Sequence, residues 1–138
     1  MRNTATQRKV VYVDFEAGIP IWMQLVDEFT RRIVSGAWAP GARVPSVREL
    51  AAELGVNPNT AQRALAELER RELCRTERTA GRFITDSAER VDALRIELAQ
   101  LSADDYIRAA RGLGLTHEQA QQLITSSWHS YDLNPEGR

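Results

Sequence analysis

Apolar residues recur along this chain at spacings of three and four in several separate stretches, with polar residues between them. Such spacing predicts helices that each bury one side. In the first stretch, Trp22, Leu25, Val26, Phe29 and Ile33 form a stripe, and Asp27, Glu28, Arg31 and Arg32 lie off it. Pro20 suits the first turn of this helix, where a missing N–H costs nothing, and Gly36 suits its end. Trp38 is expected to pack on the domain just before the turn Ala39-Pro40-Gly41. The second helix opens at Ser46, with Glu49 placed to complete a capping box. It buries Val47, Leu50, Ala51 and Leu54 and stops at Gly55. The third is capped by Asn57, begins at Pro58 and buries Ala61, Ala64, Leu65 and Leu68 before ending near Arg71. Only Gly55-Val56-Asn57-Pro58 separates the two helices, so they must diverge sharply, as in a helix-turn-helix.

The period then changes. Leu73 to Thr76 and Arg82 to Thr85 read as two short strands around a tip at Arg78-Thr79-Ala80-Gly81, a β wing. An earlier β-branched and aromatic run, Lys9 to Phe15, predicts a short edge strand or ordered arm. Beyond the wing, helical spacing returns from about Ser87 to Arg111. Val91, Leu94, Leu98 and Leu101 recur like a coiled-coil seam, which Ile107 and Ala110 extend less regularly. Ser102-Ala103-Asp104-Asp105 could cap a separate helix and break this one. Thr116 and Gln119 form another capping-box pattern, opening a last helix to about Trp128 that carries Ala120, Leu123, Ile124 and Trp128 on one face. The expected fold is mainly α with a small β wing. A winged helix-turn-helix with an N-terminal strand or arm occupies residues 1–85. A short two- or three-helix C-terminal segment for dimerisation or effector response follows over 86–128, and 129–138 form a flexible tail.

Composition narrows the function. The hydrophobic fraction of 43% and charged fraction of 27% are ordinary for a soluble globular protein. No apolar run approaches the ~18 residues that span a bilayer, and no signal-peptide pattern is present at the start, so a cytoplasmic protein without a membrane partner is expected. The single cysteine, Cys74, excludes an internal disulfide and a multi-cysteine metal site. Its default role is a small buried hydrophobe, with a redox switch as the alternative. His117 and His129 do not combine into a metal site, and the adjacent Asp104 and Asp105 point to different faces of a helix. The chain has no nucleophile–base pair, P-loop, dinucleotide-binding turn or metal cluster, so neither an enzyme nor a cofactor is expected. The net charge of −1 conceals an asymmetry: residues 1–85 carry +3, and residues 86–138 carry −4.

The exposed side of the third helix carries the candidate chemistry. Opposite its stripe lie Asn59, Gln62 and Arg63, with Ala66 small enough for close approach to a duplex. Asn and Gln can pair bidentately with adenine, and Arg with guanine. At the helix start, Asn57 and Thr60 offer donors to a phosphate. Arg48, beside Ser46, opens the second helix. The wing adds Arg75, Arg78, Thr79 and Arg82, with Gly81 allowing the backbone close to a groove. A polar helix face is also what an ordinary solvated helix has. A winged helix that binds protein is therefore the alternative to one that binds DNA.

The ordered residues go further. Ile19-Pro20-Ile21-Trp22 with Gln24, Ser35-Gly36, Pro40-Gly41, Val44-Pro45-Ser46-Val47-Arg48-Glu49-Leu50-Ala51, Leu54-Gly55-Val56, the run Asn57 to Ala64, Leu68-Glu69 and Gly81-Arg82-Phe83-Ile84 resemble the DNA-binding domain of the GntR family of bacterial transcription regulators. The Asn-Pro-Asn-Thr-x-Gln-Arg-Ala run and the short C-terminal part resemble its YtrA-like branch. The resemblance implies a repressor that binds a double-stranded operator. It places DNA contacts on Arg48, Asn57, Asn59, Thr60 and the wing glycine Gly81. Gln62 stands where other branches often have a base-reading arginine, so their base preference does not transfer. Arg82 stands where many relatives have threonine, and Glu72 where a glycine often ends the third helix. If Glu72 adopts positive φ, it costs on the order of 1 kcal/mol.

Only 53 residues, 86–138, follow the wing. So small a unit cannot bury Val91, Leu94, Leu98, Leu101 and Ile107 within itself, and a homodimer whose helices cover one another is the economical solution. The YtrA-like resemblance implies the same arrangement, which would bind a pseudo-palindrome. The alternative is that the stripe packs back on the chain's own N-terminal domain. A small-molecule effector, which the residues do not identify, is left open as a further partner.

Overall fold

In a computed structural model, residues 13–133 are described. Helix α1 (Ile21–Val34) is followed by α2 (Val47–Leu54), α3 (Pro58–Arg70), a hairpin of β1 (Cys74–Glu77) and β2 (Gly81–Ile84), then α4 (Ala88–Gly112) and α5 (His117–Leu133). This is the winged helix-turn-helix expected from the spacing, with a helical C-terminal part. Of the expected strand at Lys9 to Phe15, only Val13, Asp14 and Phe15 are described, and they form no strand; the rest lies outside the described residues.

Each end of the helix-turn-helix is closed by its own sequence. Ser46 and Glu49 make the reciprocal capping box, both bonds at 3.2 Å. Gly55 ends α2 in the left-handed region at φ 66°. Asn57 Oδ1 accepts the Asn59 amide at 2.8 Å, with Pro58 at the first helical position. At the start of α1, Pro20 stands one place earlier than expected, as the cap itself. The Gln24 amide ties that start down: Nε2 donates to the carbonyls of Glu16 and Ile19, both at 2.9 Å, and Oε1 accepts the Glu16 amide at 2.7 Å. The predicted stripes converge, and Leu25, Phe29, Leu50, Ala61, Ala64, Leu65 and Leu68 are fully buried, while Trp22 and Val47, expected in those stripes, are only half-buried in the first turns of their helices. Trp38 packs as expected, its ring stacked on Phe29 at 5.0 Å between centroids.

The wing starts one residue later than its sequence suggests. The Leu73 amide is used to close the end of α3 on the Leu68 carbonyl at 2.9 Å, so the ladder begins at Cys74. A neighbouring segment also adds to β2, which the sequence reading did not predict. Val44 N–H donates to the Arg82 carbonyl and Ile84 N–H to the Ala42 carbonyl, both at 2.8 Å. Cys74 is buried, and burial pushes its thiol up to about 11. Little thiolate then exists near neutral pH, which argues against the redox switch.

Helix α4 runs unbroken past Ser102. Asp104 accepts from Gln100 and Asp105 pairs with Arg108, so both carboxylates serve pairs along one helix instead of capping a new one. Helix α5 opens with the Thr116–Gln119 capping box and continues through Leu133, beyond the expected end at Trp128.

Two compact units meet between Arg95 and Ile96, inside α4. The start of α4 belongs with the first unit. There the Arg90 guanidinium donates to the Arg71 carbonyl at the end of α3, at 3.1 and 3.2 Å, and Arg95 Nη2 to the Val34 carbonyl at the end of α1, at 3.1 Å. Cations on the open carbonyls of helix C-termini are favourable contacts. Val91 and Leu94, expected to face a second copy, are 6% and 3% exposed within the single chain, so their own chain covers them. In the second unit, the Tyr106 hydroxyl donates to the Ala120 carbonyl at 2.8 Å and Ala110 is buried, but α5 has no buried residue.

Glu72 adopts φ 60°, the left-handed conformation anticipated for it. Glu72→Asn should therefore raise unfolding stability by about 0.5–1 kcal/mol, because Asn tolerates this region better. Urea melts of the two proteins test this, and an unchanged midpoint would contradict it. Separately, Cys74 in the native protein should react with a thiol reagent at pH 8 at least ~10-fold more slowly than in urea.

Candidate DNA-binding face

The buried stripe of α3 fixes what its other side can present. With Ala61, Ala64, Leu65 and Leu68 inward, Asn59, Gln62, Arg63 and Ala66 are exposed, while Thr60 is half-buried. Asn57 spends its side-chain oxygen on the cap and keeps its amide nitrogen for an outside acceptor. At α2, the Ser46 oxygen accepts from Glu49, and Arg48 stands exposed in the first turn. A groove of about 560 Å³ joins this end of α2 to the wing, lined among others by Arg43, Ser46, Gly81 and Arg82.

The arginines of residues 13–85 fall into two groups. Arg31, Arg32, Arg70, Arg71, Arg75 and Arg82 each have a carboxylate oxygen within 4.0 Å. Glu67 serves two of them, and hydrogen bonds from Arg70 and then Arg71 hold its carboxyl down to about 2. It is therefore ionised at neutral pH and available to both arginines. Arg43, Arg48, Arg63 and Arg78 have no carboxylate that close among the described residues. Their charge is available to phosphates or bases without first breaking an internal pair. They come from the segment beside β2, the start of α2, the outer side of α3 and the wing tip. Arg63 lies over the Trp22 ring, 4.2 Å from its centroid.

The wing divides the residues expected of it. Thr79 and Arg78 are exposed at the tip. Gly81 has φ +105°, and a Cβ there would meet Arg43 Nε at 3.1 Å and Nη2 at 3.3 Å. Glycine is needed for its backbone, while the flexible end of Arg43 could shift to admit a Cβ. Arg82 is turned back toward α3: its side chain is 16% exposed and its Nη2 lies 3.8 Å from Glu69 Oε2. Its Nε is buried without a hydrogen-bond partner among the described residues. Arg43 was not among the residues singled out from the sequence. Its place just before Val44-Pro45-Ser46, beside the wing strand, was the only signal.

A short helix-turn-helix with a polar outer helix, unpaired arginines at its rim and a glycine-hinged wing defines a winged-helix DNA-binding domain. The comparisons agree. Residues 23–84 match the profile of the bacterial regulatory proteins, gntR family. The HTH-type transcriptional regulator YhcF of Bacillus subtilis is 39% identical over 110 residues, covering 80% of this chain and 91% of the relative. The HTH-type transcriptional repressor YtrA of the same organism is 32% identical, covering 83% and 92%. A solved GntR family transcriptional regulator from Listeria monocytogenes superposes with a TM-score of 0.73 at 35% identity, covering 81% of this chain and 98% of that one. The chain belongs to the GntR family, and its likeness to YtrA is consistent with the YtrA-like branch. It is a DNA-binding transcription regulator, not an enzyme.

If Arg48 contacts a phosphate, Arg48→Ala should weaken binding to every DNA sequence alike and reduce the salt slope by about 0.9 per protomer. Arg31→Ala, which removes an arginine already paired with Glu28, should leave that slope unchanged. Binding isotherms at several salt concentrations decide between these outcomes, and equal slopes for wild type and Arg48→Ala contradict the assignment.

Proposed function

We infer that two copies of this chain bind a pseudo-palindromic operator and repress the adjacent promoter. On each half-site, Asn59, Gln62 and Arg63 read base edges. Arg48, Ser46, Asn57 and Thr60 hold phosphates at the helix starts, while Thr79 and Gly81 bring the wing to the neighbouring groove. Arg82 acts behind the wing, where it faces Glu69. Repression is carried over from the Bacillus subtilis relative, which is described as a repressor. The work is done in the bacterial cytoplasm; among the described residues no helix is long and apolar enough to cross a membrane.

The observation that carries the homodimer is the apolar surface of the second unit. Leu101 is 70% exposed and Trp128 69%, and Ile107, Leu123, Ile124 and Tyr131 are exposed beside them in sequence on α4 and α5. Among the described residues nothing covers this surface, and a second copy of the same helix pair can. The seam is thus Leu98, Leu101 and Ile107 with the apolar residues of α5. Val91 and Leu94 are no longer available to it.

Sedimentation of the full chain should give a dimer at micromolar concentration. A Leu101→Glu, Trp128→Glu variant should sediment as a monomer with its helical circular dichroism retained. Its affinity for a two-half-site operator should fall about 10²–10⁴-fold, the loss expected when a second contact ceases to be intramolecular. A variant that stays dimeric, or a monomer with undiminished affinity, would rule this surface out.

A further inference from the structure

The opening of α1, Ile19-Pro20-Ile21-Trp22 with Gln24, has no part in the DNA contacts assigned so far. Its geometry gives it one. Trp22 lies in the first turn of α1 and is half-buried. That turn is held by the three bonds of the Gln24 amide to Glu16 and Ile19 and by the Pro20 carbonyl, which accepts the Met23 amide at 3.1 Å. Against this fixed indole lies the Arg63 guanidinium, 4.2 Å from the ring centroid. Arg63 projects from the exposed side of α3, with no carboxylate within 4.0 Å among the described residues.

An indole and a carboxylate hold a guanidinium in different ways. A carboxylate occupies two N–H donors and cancels the charge. An aromatic ring takes only the face of the guanidinium, leaving its donors in the plane and its charge intact. It also removes much of the rotamer freedom that a long exposed side chain would lose on contacting a base. Arg70 and Arg71, further along α3, are held in the first way by Glu67. Only Arg63 is held in the second way on this helix among the described residues.

We propose that Trp22 is a positioning residue for operator recognition: a platform on α1 that holds Arg63 extended with its N–H fork free for a base. This rests on the assignment of Arg63 as a reading residue. The platform sets specificity without itself touching DNA. The ring must be flat and aromatic, so Tyr or Phe should serve in part and an aliphatic residue should not.

The test is a double-mutant cycle on the full chain with operator and random duplexes, using Trp22→Leu, Trp22→Phe, Arg63→Ala and the Trp22→Leu, Arg63→Ala double variant. Trp22→Leu should lose about 3–10-fold in operator affinity, with random-duplex affinity and thermal midpoint close to wild type. Trp22→Phe should recover part of the loss. In the Arg63→Ala background, Trp22→Leu should cost nothing further. The Arg63 Nε–H proton should also carry a ring-current shift in the free protein that Trp22→Leu abolishes. Additive losses, equal losses on both duplexes, or a gain in affinity for Trp22→Leu would each overturn the platform while leaving Arg63 a reader. Wild-type discrimination by Arg63→Ala would instead remove the reading role itself, and the platform with it.

Discussion

The close packing of α3 through Ala61 and Ala64 is the constraint on which the rest of the structure depends. Both are fully buried. Their small side chains let the neighbouring helices approach, while Leu65 and Leu68 fill the remaining depth. A helix fixed on one side in this way has no freedom to rotate, so its opposite side is fixed too. Asn59, Gln62, Arg63 and Ala66 owe their exposure to that packing. The caps contribute at the two ends: Asn57 starts the helix, and Arg90, reaching back from α4, closes the carbonyl of Arg71 after its end.

Charge is then distributed over this frame with a clear division. The arginines that pair with Glu28, Glu67, Glu69 and Glu77 hold the domain together or solvate it. Those left without a carboxylate stand where the helix starts, the outer side of α3 and the wing can meet a polyanion. A modest net charge for the whole chain is compatible with DNA binding on these terms. What matters is how many cations are unspent at the contact surface, and that number is set by side-chain pairing.

Much of this was legible in the sequence, because helix periodicity, capping residues and turn glycines are local signals. The capping box at Ser46 and Glu49 and the stripes of the first three helices follow from a few adjacent residues, whereas the positive φ of Glu72 was suggested only by the family resemblance, in which a glycine often stands there. The parts that were not legible depend on distant neighbours. Trp22 belongs to an apolar stripe by spacing, and nothing local says that it meets Arg63. Arg82 sits in a four-residue strand, where alternation gives two faces but does not say which is covered. The packing of its side chain toward Glu69 of α3 decides that. The seam of α4 was the hardest case. Its spacing identifies apolar residues but not what covers them, and the chain itself covers Val91 and Leu94 while Leu101 remains open.

The central claim is that one chain supplies one reading head and that two such heads act together on DNA. Hydroxyl-radical footprinting of the full chain on the promoter upstream of its own gene tests this most directly. The account predicts two protected patches related by two-fold symmetry, with centres about one helical turn apart or a multiple of it. A single protected patch, or no protection at low salt, would contradict it.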